Sequence, residues 1–141
     1  MQRNRFLFVL LVCVGLAGCR ADLRDLQTAS VEKLASWQVQ GADLTLCDAN
    51  SSDTREREGV IPGAVLLSNY RDYDPVAELP GDKGAKLVFY CHSEYCGAAG
   101  DAARKAIAAG YRDVWVMAPG IQGWKQAGKP VGKATPAGGA S

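Results

Sequence analysis

The order of apolar and polar positions predicts a chain of short strands separated by helices. Four apolar runs have the length of buried strands, and polar or turn-forming residues bound each of them. They lie at residues 42–49, 60–67, 85–91 and 113–117. The turn pair Pro62-Gly63 interrupts the second run, so we expect its strand to begin after that turn.

The first helix is predicted at residues 30–39, "SVEKLASWQV". Ser30 offers a hydroxyl that suits the N-cap position. Val31, Leu34 and Val39 are the apolar residues that we expect on its buried face.

A second and longer helix is predicted at residues 98–109, which are rich in alanine and end at Gly110. A short helix is expected at residues 120–128. The loop at 70–80 has room for one helical turn, and the polar segment 50–59 is expected to be a connection.

Strands that alternate with helices define the fold class. They predict an α/β domain, a small doubly wound parallel sheet of four to five strands with helices on both faces. In such sheets functional groups gather at the C-terminal ends of the strands. Asp48 and Cys91 both occupy such ends, and this position distinguishes Cys91 from the other cysteines.

The N-terminus has the features of a targeting segment. Arg3 and Arg5 precede an apolar run, residues 6–18, that is too short to span a bilayer. The run ends in "LAGC", which resembles a bacterial lipoprotein processing site with Cys19 as the lipid-bearing residue. We expect residues 1–18 to be a lipoprotein signal peptide; ordinary secretory cleavage is the alternative.

This interpretation divides the chain into parts. Residues 19–29 would be the lipidated cysteine and a tether, residues 30–130 one domain, and residues 131–141 a disordered tail. The protein would face the periplasm from a membrane of the cell envelope, with the outer membrane left open. The chain has 16 Lys and Arg against 15 Asp and Glu and no basic stripe, so no nucleic-acid partner is expected.

The number and position of the cysteines also limit the set of candidate functions. Once Cys13 leaves with the signal peptide and Cys19 carries lipid, three cysteines remain, Cys47, Cys91 and Cys96. An odd number in an oxidising compartment leaves at least one thiol free, buried or reactive. Cys47 lies within an apolar strand and is expected in the core.

The turn after Cys91 is the strongest candidate site. A strand that runs through a tight loop into a helix directs several backbone N–H groups and the positive end of the helix dipole into one concavity. A thiolate at that place is stabilised and is nucleophilic. The alternative is a cysteine that is merely packed in the core.

Several segments together resemble a single-domain rhodanese (thiosulfate sulfurtransferase fold) over residues 30–130. They are "LCDAN", "GVIPGAVLL", "LVFYCHSEYCG", "AARKAIAAGYRDVWVM" and "GIQGW". The resemblance implies that Cys91 accepts sulfane sulfur as a persulfide and passes it to a thiol acceptor, without a metal or organic cofactor. The loop that cradles it would be His92, Ser93, Glu94, Tyr95, Cys96 and Gly97.

The sequence departs from the rhodanese pattern around this loop. Cys96 stands where the family commonly has an arginine that binds an anionic donor, and Glu94 adds a negative charge. Asn50 replaces an arginine often found after the first aspartate. Thiosulfate is therefore a doubtful donor. The preceding loop offers two other arginines, Arg55 and Arg57.

Three interpretations of Cys96 stay open. It can resolve a persulfide or sulfenate on Cys91 by forming a disulfide, share an ion with Cys91, or simply fill the space of the missing arginine. Asp48 is expected to brace the loop backbone, and His92 is either a solvated or a functional residue. A soft-metal site formed by Cys47, Cys91, His92 and Cys96 is a further alternative.

The leading hypothesis is a membrane-anchored, periplasm-facing sulfurtransferase whose partners are a small sulfur donor and a thiol acceptor, including a protein thiol. Two alternatives remain. One is a thiol-disulfide redox protein that uses Cys91 and Cys96. The other is a non-catalytic rhodanese-fold module that binds a partner.

Overall fold

A computed structural model describes residue 23 and residues 25–134. The predicted signal peptide (1–18), the lipidation residue Cys19 and most of the predicted tail lie outside the described residues. Within the described part, none of the helices is both long and apolar enough to cross a bilayer.

The described chain contains five strands and five helices. The strands are β1 (Gln27–Ala29), β2 (Leu44–Asp48), β3 (Val65–Leu66), β4 (Lys86–Tyr90) and β5 (Asp113–Met117). The helices are α1 (Val31–Val39), α2 (Ser52–Glu58), α3 (Pro75–Glu78), α4 (Ala98–Ala108) and α5 (Gly120–Gln126). All strand pairs are parallel, in the order β1-β5-β4-β2-β3. The predicted parallel α/β sheet is confirmed.

The central strand β4 faces two separate cores because its side chains alternate across the sheet. Leu87 and Phe89 pack with the alanines of α4 on one face. Val88 and Tyr90 pack with α1 and α5 on the other. Helices therefore cover both faces, as the fold class requires.

Two parts of the fold lie in segments predicted to be a tether and a tail. Residues 27–29 form the edge strand β1, paired with β5 from Gln27↔Trp115 to Ala29↔Met117. Gly132 forms an isolated antiparallel bridge with Val60. Each segment is held through its backbone by a partner that lies far away in the sequence. An apolar run is therefore not required, and neither segment has one.

Two local predictions were also wrong. Residues 52–58 form the helix α2, not a polar connection, and the Ser51 hydroxyl caps it by accepting the Thr54 N–H. None of its residues is buried, so it shows no apolar period. Val39 is 89% exposed, because its position on α1 points away from the face that buries Val31 and Leu34.

A buried hydrogen-bond network joins the ends of β2 and β4. The Tyr90 hydroxyl donates to Asp48 Oδ2 at 2.6 Å and accepts the Ile61 N–H at 3.0 Å. Asp48 Oδ1 accepts the Asn50 N–H at 2.7 Å. Burial, together with the neighbouring Asp48 charge, raises the pKa of Tyr90, so its hydroxyl remains a donor.

Arg55 completes this network from helix α2. Its guanidinium Nη2 donates to the carbonyl oxygens of Asp48 and Leu67, each at 2.9 Å. Its Nε lies 3.4 Å from Asp48 Oδ1, and the arginine side chain is only 11% exposed. The network therefore fixes β2, α2, β4 and the segment that leads into β3 relative to one another.

We predict that Tyr90→Phe lowers the free energy of unfolding by roughly 2 to 6 kcal/mol, because it orphans the Ile61 N–H and one oxygen of Asp48 at about 1–3 kcal/mol each. Urea denaturation measures this change. The control Tyr95→Phe alters a side chain that is 70% exposed and should stay within about 0.5 kcal/mol of wild type. Equal stability of the two variants would contradict the structural role of the network.

Candidate active site

The loop begins at Cys91, directly after β4, and the first residues of α5 hold its backbone. The Cys91 carbonyl oxygen accepts the Ile121 N–H at 2.8 Å, and the His92 carbonyl oxygen accepts the Gln122 N–H at 3.0 Å. Gly120 makes this approach possible. Its φ is +64°, and a Cβ there would lie 2.6 Å from the Cys91 and His92 carbonyl oxygens. The loop is thus fixed where it leaves the sheet.

The loop then curls back toward its own beginning. The Cys96 N–H donates to the Ser93 carbonyl oxygen at 3.0 Å, which closes a turn. Gly97 is the N-cap of α4 and has no side chain to cap it, so first-turn N–H groups are directed at the loop. These two features bring Cys96 back to Cys91 at the positive end of α4.

The two cysteines form a neighbouring pair. The S–H of Cys91 donates to the Cys96 carbonyl oxygen at 3.1 Å. Neither cysteine is in a disulfide. The pair differs in exposure, since Cys91 is 3% exposed whereas Cys96 is half-buried.

This pair shares one proton and one negative charge. The hydrogen bond from Cys91 lowers the pKa of Cys96 to about 5, against the opposing effect of burial and with help from the His92 and Ala98 N–H groups. The same hydrogen bond, together with burial, raises the pKa of Cys91, although the Ala99 and His92 N–H groups oppose that rise. The directions of the two pKa shifts favour the negative charge on Cys96 and the proton on Cys91.

The sequence analysis expected the loop N–H groups to stabilise a thiolate on Cys91. The pKa shifts favour the charge on the neighbouring sulfur, because Cys96 is less desolvated than Cys91 and receives the hydrogen bond from it. That arrangement depends on the curl of the loop, which spacing alone does not reveal. Cys91 keeps a base, the Cys96 thiolate, within hydrogen-bond contact.

A cleft of about 590 Å³ opens beside the loop. Its lining includes polar and charged side chains from three parts of the chain: Asn50, Arg71, His92, Cys96 and Asp101. Of the two thiols in the pair, Cys96 lines the cleft and Cys91 does not. A small molecule in the cleft therefore meets the Cys96 sulfur first.

Asn50 presents the one buried side-chain amide of this cleft. It is 8% exposed, and its Nδ2 is buried without a hydrogen-bond partner among the described residues. By contrast, Arg55 donates to backbone carbonyl oxygens and pairs with Asp48, so its charge stabilises the buried hydrogen-bond network. Arg71 is the arginine that lines the cleft.

The other predicted loop residues lie nearer the surface. His92 Nε2 is 3.8 Å from Glu58 Oε1, and Lys125 Nζ pairs with Glu58 Oε2 at 2.9 Å. Glu94 and Tyr95 are exposed at the tip of the loop. The predicted brace, Asp48, is fully buried and makes the contacts described above.

Cys47 is not part of the thiol pair. It is fully buried in the core beneath α4, and burial raises its pKa to about 12. Across residue 23 and residues 25–134, no group of three or more His, Cys, Asp and Glu side chains is arranged to hold a metal ion. The four-residue soft-metal set, His92 with the three cysteines, is therefore not assembled.

Two residues of the site were missed by the sequence analysis. Tyr90 was predicted only as a strand residue, although its hydroxyl group, directly before Cys91 in the sequence, indicated that it could belong to the site. Gly120 was included only as the start of a short helix. Its positive φ and its contact with the loop carbonyls follow from the packing of α5 against β4, which no local pattern reports.

Comparison with known proteins identifies the family. The family model for the rhodanese-like domain matches residues 30–127, which is more than half of the chain. The chain therefore belongs to the rhodanese-like family.

One curated relative matches this domain over part of the relative's own length. The chain is 36% identical over 99 residues to an HTH-type transcriptional regulator from Mycobacterium tuberculosis. The match covers 70% of this chain and 42% of the regulator, so the chain spans less than half of that relative's length.

Solved structures share the fold at low identity. A thiosulfate sulfurtransferase from Pseudomonas aeruginosa aligns with a TM-score of 0.66 and 21% identity, over 84% of this chain and 22% of that one. A polysulfide-sulfur transferase from Wolinella succinogenes, a homodimer, aligns with a TM-score of 0.65 and 17% identity, over 79% and 82%. At these identities the likeness shows the fold alone.

We predict that Gly120→Ala disrupts the loop. The new Cβ meets backbone atoms at 2.6 Å, so the variant should lose stability and its Cys96 should react more slowly with iodoacetamide near neutral pH. Gly41→Ala is the matched control, since Gly41 has φ +65° and a Cβ there would meet no neighbouring atom within 4 Å. Its cost is the backbone strain alone, about 1–2 kcal/mol, with thiol reactivity unchanged.

The contrary result is easily recognised. If Gly120→Ala and Gly41→Ala lose the same stability and both keep wild-type alkylation rates, the contact between α5 and the loop does not position the thiols.

Proposed function

We propose that the protein is a sulfurtransferase of the rhodanese type that carries sulfane sulfur as a persulfide on Cys91. The observation that carries this proposal is the thiol pair. Cys91 lies at the C-terminal end of the central strand, in hydrogen-bond contact with the Cys96 thiolate and next to the N-terminus of α4. Family membership and the two sulfurtransferase folds support the same activity.

The first half-reaction loads sulfur onto Cys91. As the Cys91 sulfur attacks the sulfane sulfur of the donor, its proton moves to the Cys96 thiolate. The bond between the sulfane sulfur and the donor breaks, and the donor leaves as a thiol or an equivalent anion. Backbone N–H groups near Cys91, those of His92 and Ala99, then stabilise the persulfide anion.

The second half-reaction returns Cys91 to its starting state. A thiol acceptor attacks the outer sulfur of the persulfide, the sulfur–sulfur bond to Cys91 breaks, and the acceptor leaves as a persulfide. The Cys91 thiolate that is released takes back the proton held by Cys96. Each half-reaction is complete before the next begins, so the scheme is ping-pong.

The charges of the cleft favour a donor that carries less charge than the thiosulfate dianion. Cys96 occupies the place of the family's loop arginine, and the carboxylate of Asp101 lines the cleft. Arg71, which also lines the cleft, is its cationic counterpart. An organic hydropersulfide fits this balance better than thiosulfate does.

One observation favours a second candidate function, a thiol-disulfide redox protein. The pair has the low-pKa thiolate and adjacent thiol that disulfide exchange requires. Cys96→Ser distinguishes the two candidates at pH 9, where Cys91 can ionise without the Cys96 base. Sulfur should then still load onto Cys91, whereas reversible oxidation of the pair is lost.

The expected test result is a sulfur adduct on Cys91. Intact mass spectrometry of the Cys96→Ser variant, after incubation with an organic hydropersulfide at pH 9, should show a gain of about 32 Da that a thiol acceptor removes. Peptide mapping should assign it to Cys91, and adding Cys91→Ser to this variant should abolish it. An adduct that persists in the double variant, or no adduct on Cys96→Ser from hydropersulfide or polysulfide, would contradict the proposal.

We also propose that Cys19 anchors the protein in a membrane of the bacterial envelope, with the domain facing the periplasm. The support is the sequence of the first nineteen residues, with Arg3, Arg5 and the "LAGC" segment. Cells fed labelled palmitate should incorporate it into wild type and into the control Cys13→Ser, but not into Cys19→Ser. Equal labelling of all three, or of none, would contradict the anchor.

A further inference from the structure

The two thiols of the pair differ in their access to the cleft. Cys91 is 3% exposed, so a sulfur atom attached to it extends from a nearly enclosed position. Cys96 lines the cleft, and the turn closed by its N–H to the Ser93 carbonyl oxygen holds it against Cys91. An external acceptor has to approach the Cys91 persulfide past the Cys96 sulfur.

We propose that Cys96 resolves the persulfide on Cys91, releasing the sulfur as hydrosulfide and closing a Cys91–Cys96 disulfide. Cys96 first returns the proton that it took during loading to the outer sulfur of the persulfide, and the Cys96 thiolate then attacks the Cys91 sulfur. The bond between the Cys91 sulfur and the outer sulfur breaks, and the outer sulfur leaves with the electron pair as HS⁻. The outer sulfur is thereby reduced, and the two cysteine sulfurs are oxidised by the same two electrons.

Proximity decides the competition with external acceptors. Well-oriented groups in one molecule react with effective molarities that reach about 10⁵ M or more. The Cys91 sulfur already lies 3.1 Å from the Cys96 carbonyl oxygen, and a disulfide requires the two sulfurs to approach to about 2.05 Å. Even if loop strain removed several powers of ten, Cys96 would react ahead of a thiol present at roughly millimolar concentration.

The reaction class changes as a result. A sulfurtransferase without a resolving thiol hands its sulfur to an acceptor, whereas this chain would reduce sulfane sulfur to hydrosulfide. The disulfide that remains must be reopened by an external dithiol or thiol reductant before the next turnover. The co-substrate of the cycle is then a reductant, and a protein dithiol suits the partly enclosed Cys91.

This inference rests on the proposed loading of Cys91, and the experiment separates the two. Reduced wild-type protein, under anaerobic conditions, receives one equivalent of glutathione persulfide with no free thiol present. We expect one hydrosulfide per protein and a mass loss of about 2 Da that maps to a Cys91–Cys96 bridge. Glutathione is released as the thiol, so hydrosulfide reports the resolution step.

The matched control is Cys96→Ser, treated in the same way at pH 9, the ordinary pKa of a cysteine thiol being 9.0. It should retain the gain of about 32 Da on Cys91 and release no hydrosulfide until a thiol is added. Cys96→Ala should behave alike, because neither side chain can form the bridge.

The outcomes are distinct. Wild-type protein that keeps a stable persulfide while Cys96 remains open to alkylation overturns the resolution step and leaves the proposed function standing. Cys96→Ser that releases as much hydrosulfide as wild type also overturns it, since the sulfide then comes from the donor. If neither protein gains sulfur or releases hydrosulfide, both proposals are wrong.

Discussion

A single buried carboxylate, that of Asp48, is the constraint on which the site depends. Its two oxygens hold the Asn50 N–H and the Tyr90 hydroxyl, and Tyr90 in turn holds the Ile61 N–H. Arg55 balances the charge of Asp48 and donates hydrogen bonds to the carbonyl oxygens of Asp48 and Leu67. Since an unpaired carboxylate at this depth would be costly, the network keeps the ends of β2 and β4 in register, and the loop emerges from that fixed edge.

The loop that follows this rigid edge positions the two cysteine sulfurs. Backbone N–H groups of α5 hold the Cys91 and His92 carbonyl oxygens, while the N-terminus of α4 faces the thiols. Two sulfurs held in this way share a proton, so one of them carries negative charge near neutral pH. Under the proposed function, the second sulfur, that of Cys96, takes a proton from its neighbour and also reacts with the persulfide that the neighbour carries.

The sequence reveals the class of the fold and the strand end at which Cys91 lies, because both follow from simple patterns. Apolar runs separated by helical periods require a parallel sheet, and Cys91 follows the most buried run. The charge on Cys96 depends on a turn that no spacing predicts. The edge strand β1 (Gln27–Ala29) and the polar helix α2 (Ser52–Glu58) lack an apolar pattern, since distant backbone partners and a serine cap stabilise them. Gly120 matters only because α5 packs against the loop.

The central claim is that one thiolate of the pair is present at neutral pH, and a titration of the ultraviolet thiolate absorbance tests it most directly. The difference between reduced wild type and Cys96→Ser isolates the pair from the remaining cysteines, including Cys47 with its pKa of about 12. We predict one additional thiolate per wild-type molecule at pH 7, lost on acidification with a midpoint near a pKa of about 5. A wild-type protein without thiolate absorbance until the ordinary cysteine pKa of 9.0 would contradict the account.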